Sequence, residues 1–412
     1  MQDVQGSPLT SRIRTAGLFA ILLLTAAPAH ARQAVPPVDQ PPPQIQFAPW
    51  TLARSEPGSE VYRETFPSAI VTPYAVNNVV PLEVFLPSLA QGPVPVVLLL
   101  HYWGATDIKV EEALARDLNS RGIAGAIMAL PYHLQRTPPG YKSGELAVQA
   151  DPDQLIVTMT QSVMDCRRAI DFLCTQPQID SSKIGLAGAS LGAVVSTLVY
   201  GVDPRISHVA FMLGGVDLAG IIWHSSRVVI QREKLRAKGY TEDSLRAAIA
   251  QIEPTRYLLR RTQKDALIVA ARFDTVVPRS STDQLISLFP NPPTIWLDTG
   301  HYGASFAQGK ILGTVADYFR DRFDDRPYQV PHRVFAPTIR LGAQLASSRG
   351  LDVGVGLDLA RSGDDRPAFA DFFLTPRGPT LFLGQSIGQD IAVGVSFSSE
   401  HTGFGIFWSI VL

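Results

Sequence analysis

Ser190 lies in the pentapeptide Gly188-Ala189-Ser190-Leu191-Gly192, between the apolar run Lys183-Ile184-Gly185-Leu186-Ala187 and the small-residue run Ala193 to Tyr200. The first run predicts a short buried strand and the second a helix, so the serine falls on the turn between them. A GxSxG turn of this kind holds serine in a strained backbone conformation and pushes its hydroxyl outward, and the two glycines remove side chains that would collide there. A serine hydroxyl needs a base to take its proton and a third group to orient that base. Asp274 and His301 meet that need. Asp274 follows the strand-like run Asp265 to Ala271, and His301 follows the shorter run Thr294 to Asp298. In a parallel sheet both loops fall on the edge that carries the serine turn.

Other residues compete for these roles. His101, His133 and His224 are alternative bases, with His101 better read as fixing its own loop. Asp217 follows the apolar run His208 to Leu213 and is the main alternative acid, and Asp298 sits close to His301 in sequence. The carboxylate has to orient an imidazole and stabilise its charged form, so position decides between them.

The order Ser190, Asp274, His301 resembles that of the α/β-hydrolase superfamily, most closely its dienelactone-hydrolase-like and acyl-esterase-like members, over roughly residues 60 to 325. The resemblance extends upstream to Val96-Val97-Leu98-Leu99-Leu100-His101-Tyr102-Trp103-Gly104, which looks like the strand and loop that supply one oxyanion-hole amide. Tyr102 stands where such proteins usually have glycine, so the amides of Tyr102 and Trp103 are both candidates, with that of Leu191 as the other donor. The resemblance implies a mostly parallel sheet flanked by helices, a Ser190-His301-Asp274 triad, and cleavage of carboxylic esters through an acyl-enzyme without a cofactor. A serine peptidase or amidase uses the same machinery and is the alternative enzyme. A non-catalytic surface or outer-membrane-associated binding protein is the alternative from another class.

Composition narrows the field. The chain has 412 residues with 36 Lys and Arg against 37 Asp and Glu, a formal net charge of −1, so no global positive field exists to attract nucleic acid. Cys166 and Cys174 fall in one predicted helix over about Asp153 to Thr175. Eight residues of helix rise roughly 12 Å, beyond the roughly 7 Å a disulfide tolerates, so two buried thiols are expected. No HExxH or CxxC spacing points to a metal.

Residues 1–31 read as a signal peptide: Arg12 and Arg14, the apolar run Ala16 to Leu24, and the cleavage-like Ala29-His30-Ala31. A periplasmic or secreted location follows. Residues 32–58, with Pro36-Pro37 and Pro41-Pro42-Pro43, read as an extended linker. The hydrolase domain is expected over residues 59–330, with a cap insertion over about 217–262 that predicts two or three helices. Within it Trp223, Tyr240 and Tyr257 are candidates to line an acyl pocket. Its basic residues, Arg227 and Arg246 among them, are read as solvated helix faces. A second wall of the pocket is expected from Pro131 to Pro152.

Residues 331–412 change texture. In Leu351-Asp352-Val353-Gly354-Val355-Gly356-Leu357-Asp358-Leu359 one face is branched aliphatic and the other only Gly and Asp. The same alternation in Ile339 to Leu345, Ile391 to Phe397 and Phe404 to Leu412 predicts an antiparallel unit of five or six strands. Its expected role is an accessory sheet whose apolar face packs on itself or on the hydrolase domain. The rival is outer-membrane association, since apolar-out strands also describe membrane barrels. Too few strands are present for anything but a very small barrel or an oligomeric one. The remaining partner expected is a small-molecule ester.

Overall fold

The computed structural model describes residues 35–331, 334, 339–347, 350–362, 368–387 and 391–411. The signal-peptide reading of residues 1–31 lies outside them.

The first strands are β1 (Thr51–Glu56), β2 (Ser59–Pro67), β3 (Val79–Pro87), β4 (Val94–Leu100) and β5 (Ala124–Met128), and helix α1 (Lys109–Asn119) joins the last two. Then follow α2 (Pro152–Cys174), β6 (Ile179–Ala189), α3 (Leu191–Val202) and β7 (Ile206–Met212). Four short helices come next: α4 (Leu218–His224), α5 (Val229–Ala237), α6 (Glu242–Ala248) and α7 (Pro254–Leu258). The domain ends with β8 (Ala266–Ala271), α8 (Arg279–Ser287), β9 (Thr294–Leu297) and α9 (Gln308–Phe323).

The nine strands form one sheet in the order β1-β2-β3-β5-β4-β6-β7-β8-β9. The pairs from β5 through β9 are parallel, and β1 to β3 add an antiparallel edge. Parallel strands are buried on both faces, which is why they read as continuous apolar runs. In β4, Val96, Leu98 and Leu100 join the core under α2 and α3, while Val97 and Leu99 join the core under α1 and α9. Helix α2 starts at Pro152 with the Asp151 carboxylate accepting from the amide of Asp153 at 3.0 Å, the proline having no amide to satisfy. Cys166 and Cys174 are both free thiols on this helix.

The expected linker is not an extended tether. Val38 is buried in the main core, Phe47 packs edge-on against Phe172 at 5.3 Å, and Trp50 stacks on Tyr62 at 4.8 Å. Arg167 donates to the carbonyls of Asp39 and Gln40, and Arg168 to that of Pro43. The prolines leave carbonyls without a repeating partner, and two α2 arginines take them. The apolar residues between the prolines supply the burial that a polar tether lacks.

The C-terminal residues form strands β10 (Ile339–Ala346), β11 (Gly350–Ser362), β12 (Ala368–Thr375), β13 (Gly378–Ser386), β14 (Ile391–Phe397) and β15 (Thr402–Val411). They pair antiparallel in sequence order, and β15 returns to β10 from Arg340↔Val411 to Ala346↔Gly405, closing a six-stranded barrel. The interior is filled by Phe369, Phe373, Phe382, Ala392 and Phe407. The Phe373 and Phe407 rings meet edge-on at 5.0 Å. The buried Arg340 pairs with the buried Asp371 at 3.2 Å and lies over the Phe369 ring at 4.7 Å. Glycine supplies room at two points: a Cβ on Gly354 would strike the Leu374 backbone carbonyl oxygen of the neighbouring strand, and one on Gly356 would come within 3.0 Å of the Phe373 ring.

The branched aliphatic row therefore faces outward. Leu341, Leu345, Leu351, Val353 and Val355 are exposed, as are Leu374, Leu383, Phe404, Ile406 and Trp408 on the later strands. This corrects the accessory-sheet expectation, in which that face was to be covered. A bore of six strands is too narrow for aliphatic side chains opposite the phenylalanines, so the small row turns in and the bulky row turns out.

Candidate active site

Ser190 follows β6 directly and precedes α3, with φ 53° and ψ −114°. A non-glycine residue in such a conformation stores about 1–3 kcal/mol of strain, and the surroundings hold it there. The Ser190 amide donates to the Met212 carbonyl of β7 at 2.9 Å, and the Ser190 carbonyl accepts from Val194 at 3.0 Å. A Cβ on Gly188 would strike the Gly192 backbone, and one on Gly192 would strike the Leu100 carbonyl oxygen. Both glycines of the pentapeptide are thus required by close backbone approach.

Asp274 and His301 arrive from the ends of β8 and β9. Their loops are joined by backbone bonds from the amide of Arg272 to Leu297 O at 2.9 Å and from that of Phe273 to Thr299 O at 3.1 Å. His301 Nε2 lies 2.9 Å from Ser190 Oγ, and His301 Nδ1 lies 2.7 Å from Asp274 Oδ2. The other Asp274 oxygen accepts from the amides of Val276 and Val277, both at 2.8 Å. With its carboxylate held on both sides and largely buried, Asp274 fixes the imidazole with the proton on Nδ1 and leaves Nε2 bare toward the serine.

The competing residues are engaged elsewhere. Asp217 has φ 63°, accepts from the Gly220 amide at the start of α4 and pairs with Arg246 at 3.2 Å. Asp298 pairs with Arg272 at 2.7 Å. His101 accepts from the Leu130 amide through Nε2 at 3.0 Å, which places its proton on Nδ1, 2.9 Å from the Tyr102 carbonyl. Burial pushes its pKa down to about 4, so it is a neutral pin for the loop after β4. His133 contacts Pro131 O through Nδ1 at 2.9 Å, and burial brings its pKa down to about 3. His224 is exposed beside Glu242.

A pocket opens at Ser190. Leu191 and Trp103 line it, and its walls are Leu155, Met159 and Val194 with Leu218, Ile222, Val228, Ile249 and Ile252 of the cap. As the first residue of α3, Leu191 has an amide without an intrahelical acceptor, at the positive end of the helix dipole. Tyr102 is not among the lining residues, while Trp103 is.

One expectation about the pocket fails and another holds in part. Trp223, Tyr240 and Tyr257 are absent from its lining: Trp223 lies beneath Arg236 at 5.1 Å, Tyr240 packs against the core, and Tyr257 donates its hydroxyl to Gln251 O at 2.6 Å. The cap has four helices, and its apolar faces form the wall in place of its aromatics. Of the stretch Pro131 to Pro152, Val148 reaches the pocket. Sequence reasoning also missed Arg227, which lines the pocket mouth and donates to the Tyr302 hydroxyl at 2.8 Å and to Trp103 O at 3.3 Å. Nothing in the sequence sets it apart from the other basic residues of the cap.

A mostly parallel sheet with a sharp serine turn after β6, aspartate and histidine loops after β8 and β9, and a helical cap between β7 and β8 is the α/β-hydrolase fold. No protein-family model and no curated protein matches the chain. Solved structures do match it. An acetyl xylan esterase from Paenibacillus sp. R4 superposes with a TM-score of 0.52 over 65% of this chain and 88% of that one, at 18% identity. Acetyl xylan esterase 1 from Thermoanaerobacterium sp. JW/SL YS485 gives 0.50 over the same shares at 14% identity. The likeness at these identities is one of fold.

Proposed function

We propose that this protein is an exported serine esterase that cleaves carboxylic esters with apolar acyl groups through an acyl-enzyme. The observation that carries the reading is the pair of contacts on His301, 2.9 Å to Ser190 Oγ and 2.7 Å to Asp274 Oδ2. Ser190 attacks the ester carbonyl while His301 takes its proton, then returns it to the departing alcohol. Water repeats the sequence to release the acid. The amide of Leu191 and one from the Tyr102-Trp103 loop hold the oxyanion. The aliphatic walls fit an acyl chain, having few groups to hydrogen-bond a polar one. The fold shared with two acetyl xylan esterases supports an ester as substrate. Export rests on the sequence of residues 1–31.

Fluorophosphonate labelling and turnover of a p-nitrophenyl ester series test the reading together. Ser190→Ala is expected to abolish labelling and lower kcat by roughly 10⁴ to 10⁶, while the folded state survives. Wild-type kcat/KM is expected to rise from acetyl to medium acyl chains. Labelling that persists on the purified variant overturns the assignment of the nucleophile.

A further inference from the structure

We propose that the C-terminal barrel inserts its outer surface into the hydrocarbon of a lipid bilayer and anchors the chain there. The outer surface of the barrel is apolar where that of a water-soluble barrel is polar, and its interior mixes the phenylalanines with polar groups. Its interior holds Arg340, Gln344, Asp352, Asp371, Thr380 and Ser396, all buried. Among the described outward positions no side chain is charged, and the polar ones, Gln385 and Thr402, lie near strand ends. The exposure is large: Phe404 is 66% exposed, Leu351 62% and Trp408 47%.

The choice of lipid over a second protein follows from where the apolar residues lie. Each strand contributes some: Leu341 on β10, Val353 on β11, Leu374 on β12, Leu383 on β13, Ile391 on β14 and Ile406 on β15. A second copy or another soluble partner covers one side of a cylinder and leaves the rest in water. Only a medium that surrounds the barrel covers its whole circumference. Closure of β15 on β10 meets the other condition for entering hydrocarbon, because no strand keeps an unpaired edge. The band from Leu351 to Leu359 runs roughly 27 Å along its strand and about 20 Å along the axis at a tilt of ~40°. That is somewhat short of the ~25 Å apolar band of spanning barrels, a difference that local thinning takes up. Aromatic residues stand toward both ends: Phe397 pairs with Thr402 beside one turn, while Trp408 pairs with Ile391 at the start of β14. The indole of Trp408, apolar with one ring N–H, favours an interface of the bilayer.

The test is flotation of the full-length protein with vesicles of zwitterionic phosphatidylcholine in about 1 M NaCl, where the Debye length of about 3 Å removes electrostatic adsorption. Wild type is expected to float with the vesicles. Val355→Lys places a charge on the outer face without touching the interior, and is expected to lower the bound fraction about tenfold or more. Glu400→Gln, in a turn, is expected to leave it unchanged. Brominated phosphatidylcholine is expected to quench the fluorescence of bound protein, and Trp408→Phe to remove most of that quenching while still floating. Protein that stays at the bottom of the gradient overturns the proposal, whether it is monomeric or self-associated, and self-association assigns the surface to a second copy. Flotation of Val355→Lys equal to wild type, or quenching unaffected by Trp408→Phe, overturns it as well.

Discussion

Arg227 donates through Nη1 to the Tyr302 hydroxyl at 2.8 Å, so a side chain from the cap holds the residue that follows His301. The same guanidinium reaches Trp103 O at 3.3 Å and lies over the Trp103 ring at 4.9 Å. It therefore spans the pocket mouth between the histidine loop and the loop offered as an oxyanion donor. The adjacent Ser226 adds a tie from the cap to the acid loop, its amide donating to Thr275 O at 2.8 Å.

Removing that clasp should loosen both loops without touching the reacting atoms. Arg227→Ala is expected to lower kcat/KM roughly three- to tenfold, a modest effect because the side chain is exposed and screened by solvent. Tyr302→Phe removes one acceptor and leaves the contact with Trp103, so its loss should be smaller. Steady-state kinetics on the two variants checks the ranking, and equal losses would place the effect in the tyrosine hydroxyl alone.

The acid can be assigned in the same way. Asp274→Asn keeps the shape of the site but favours the wrong imidazole tautomer, and is expected to lower turnover by about 10³ to 10⁴. Asp217→Asn disturbs the cap through the start of α4 and Arg246, 3.2 Å away, and should cost far less turnover. Kinetics on equally folded proteins decides between them, and the opposite ranking would move the acid to Asp217.

The sequence made the neighbourhood of Ser190 legible because its signals are local. Close glycines, an apolar run before and a helix after define a turn, and loops after later parallel strands share its edge. Longer-range relations stayed hidden. Period-two alternation showed that Val353 and Val355 share a face, but which face lies inside depends on closure, and closure depends on the pairing of residues 340–346 with 405–411. Pattern does not tell the cap aromatics from its aliphatics as pocket lining, and only tertiary packing turned Ile222 and Ile249 to the pocket while the Tyr257 hydroxyl bonds to Gln251 O elsewhere. The proline-rich segment looked unable to pack because the arginines that cap its carbonyls lie more than a hundred residues away.

Arg136 and Asp165 are another such relation, both with side chains 0% exposed and 2.8 Å apart. Arg136 also donates to Asn77 O and Ala129 O, while Asp165 accepts from the Ser68 hydroxyl and the Ala69 amide. The pair ties α2 to segments around β3 and β5, and each charge depends on the other for its compensation. Arg136→Met or Asp165→Leu alone is expected to destabilise the fold by about 3–5 kcal/mol, because one buried charge is left unpaired. The double substitution should recover part of that loss. Urea unfolding of the three variants checks the non-additivity, and additive losses would show that the charges do not depend on each other.

Glu111 offers a prediction in pH. It is buried on α1, and burial, reinforced by Asp107 and Glu112, pushes its carboxyl from 4.5 up to about 7. The folded state therefore holds this proton more tightly than the unfolded chain does. Over the window from about 4.5 to about 7 the unfolded state binds fewer protons, so stability falls as pH rises. The contribution is complete below 4.5 and lost above 7, and ionising the buried group costs on the order of 3 kcal/mol. Gln keeps the size of the protonated carboxyl and cannot ionise. Glu111→Gln should match wild type at pH 4.5, before the loss begins, and exceed it in urea midpoint at pH 8. Denaturation curves at the two pH values check this, and a variant no more stable than wild type at pH 8 would show that Glu111 does not carry the pH dependence.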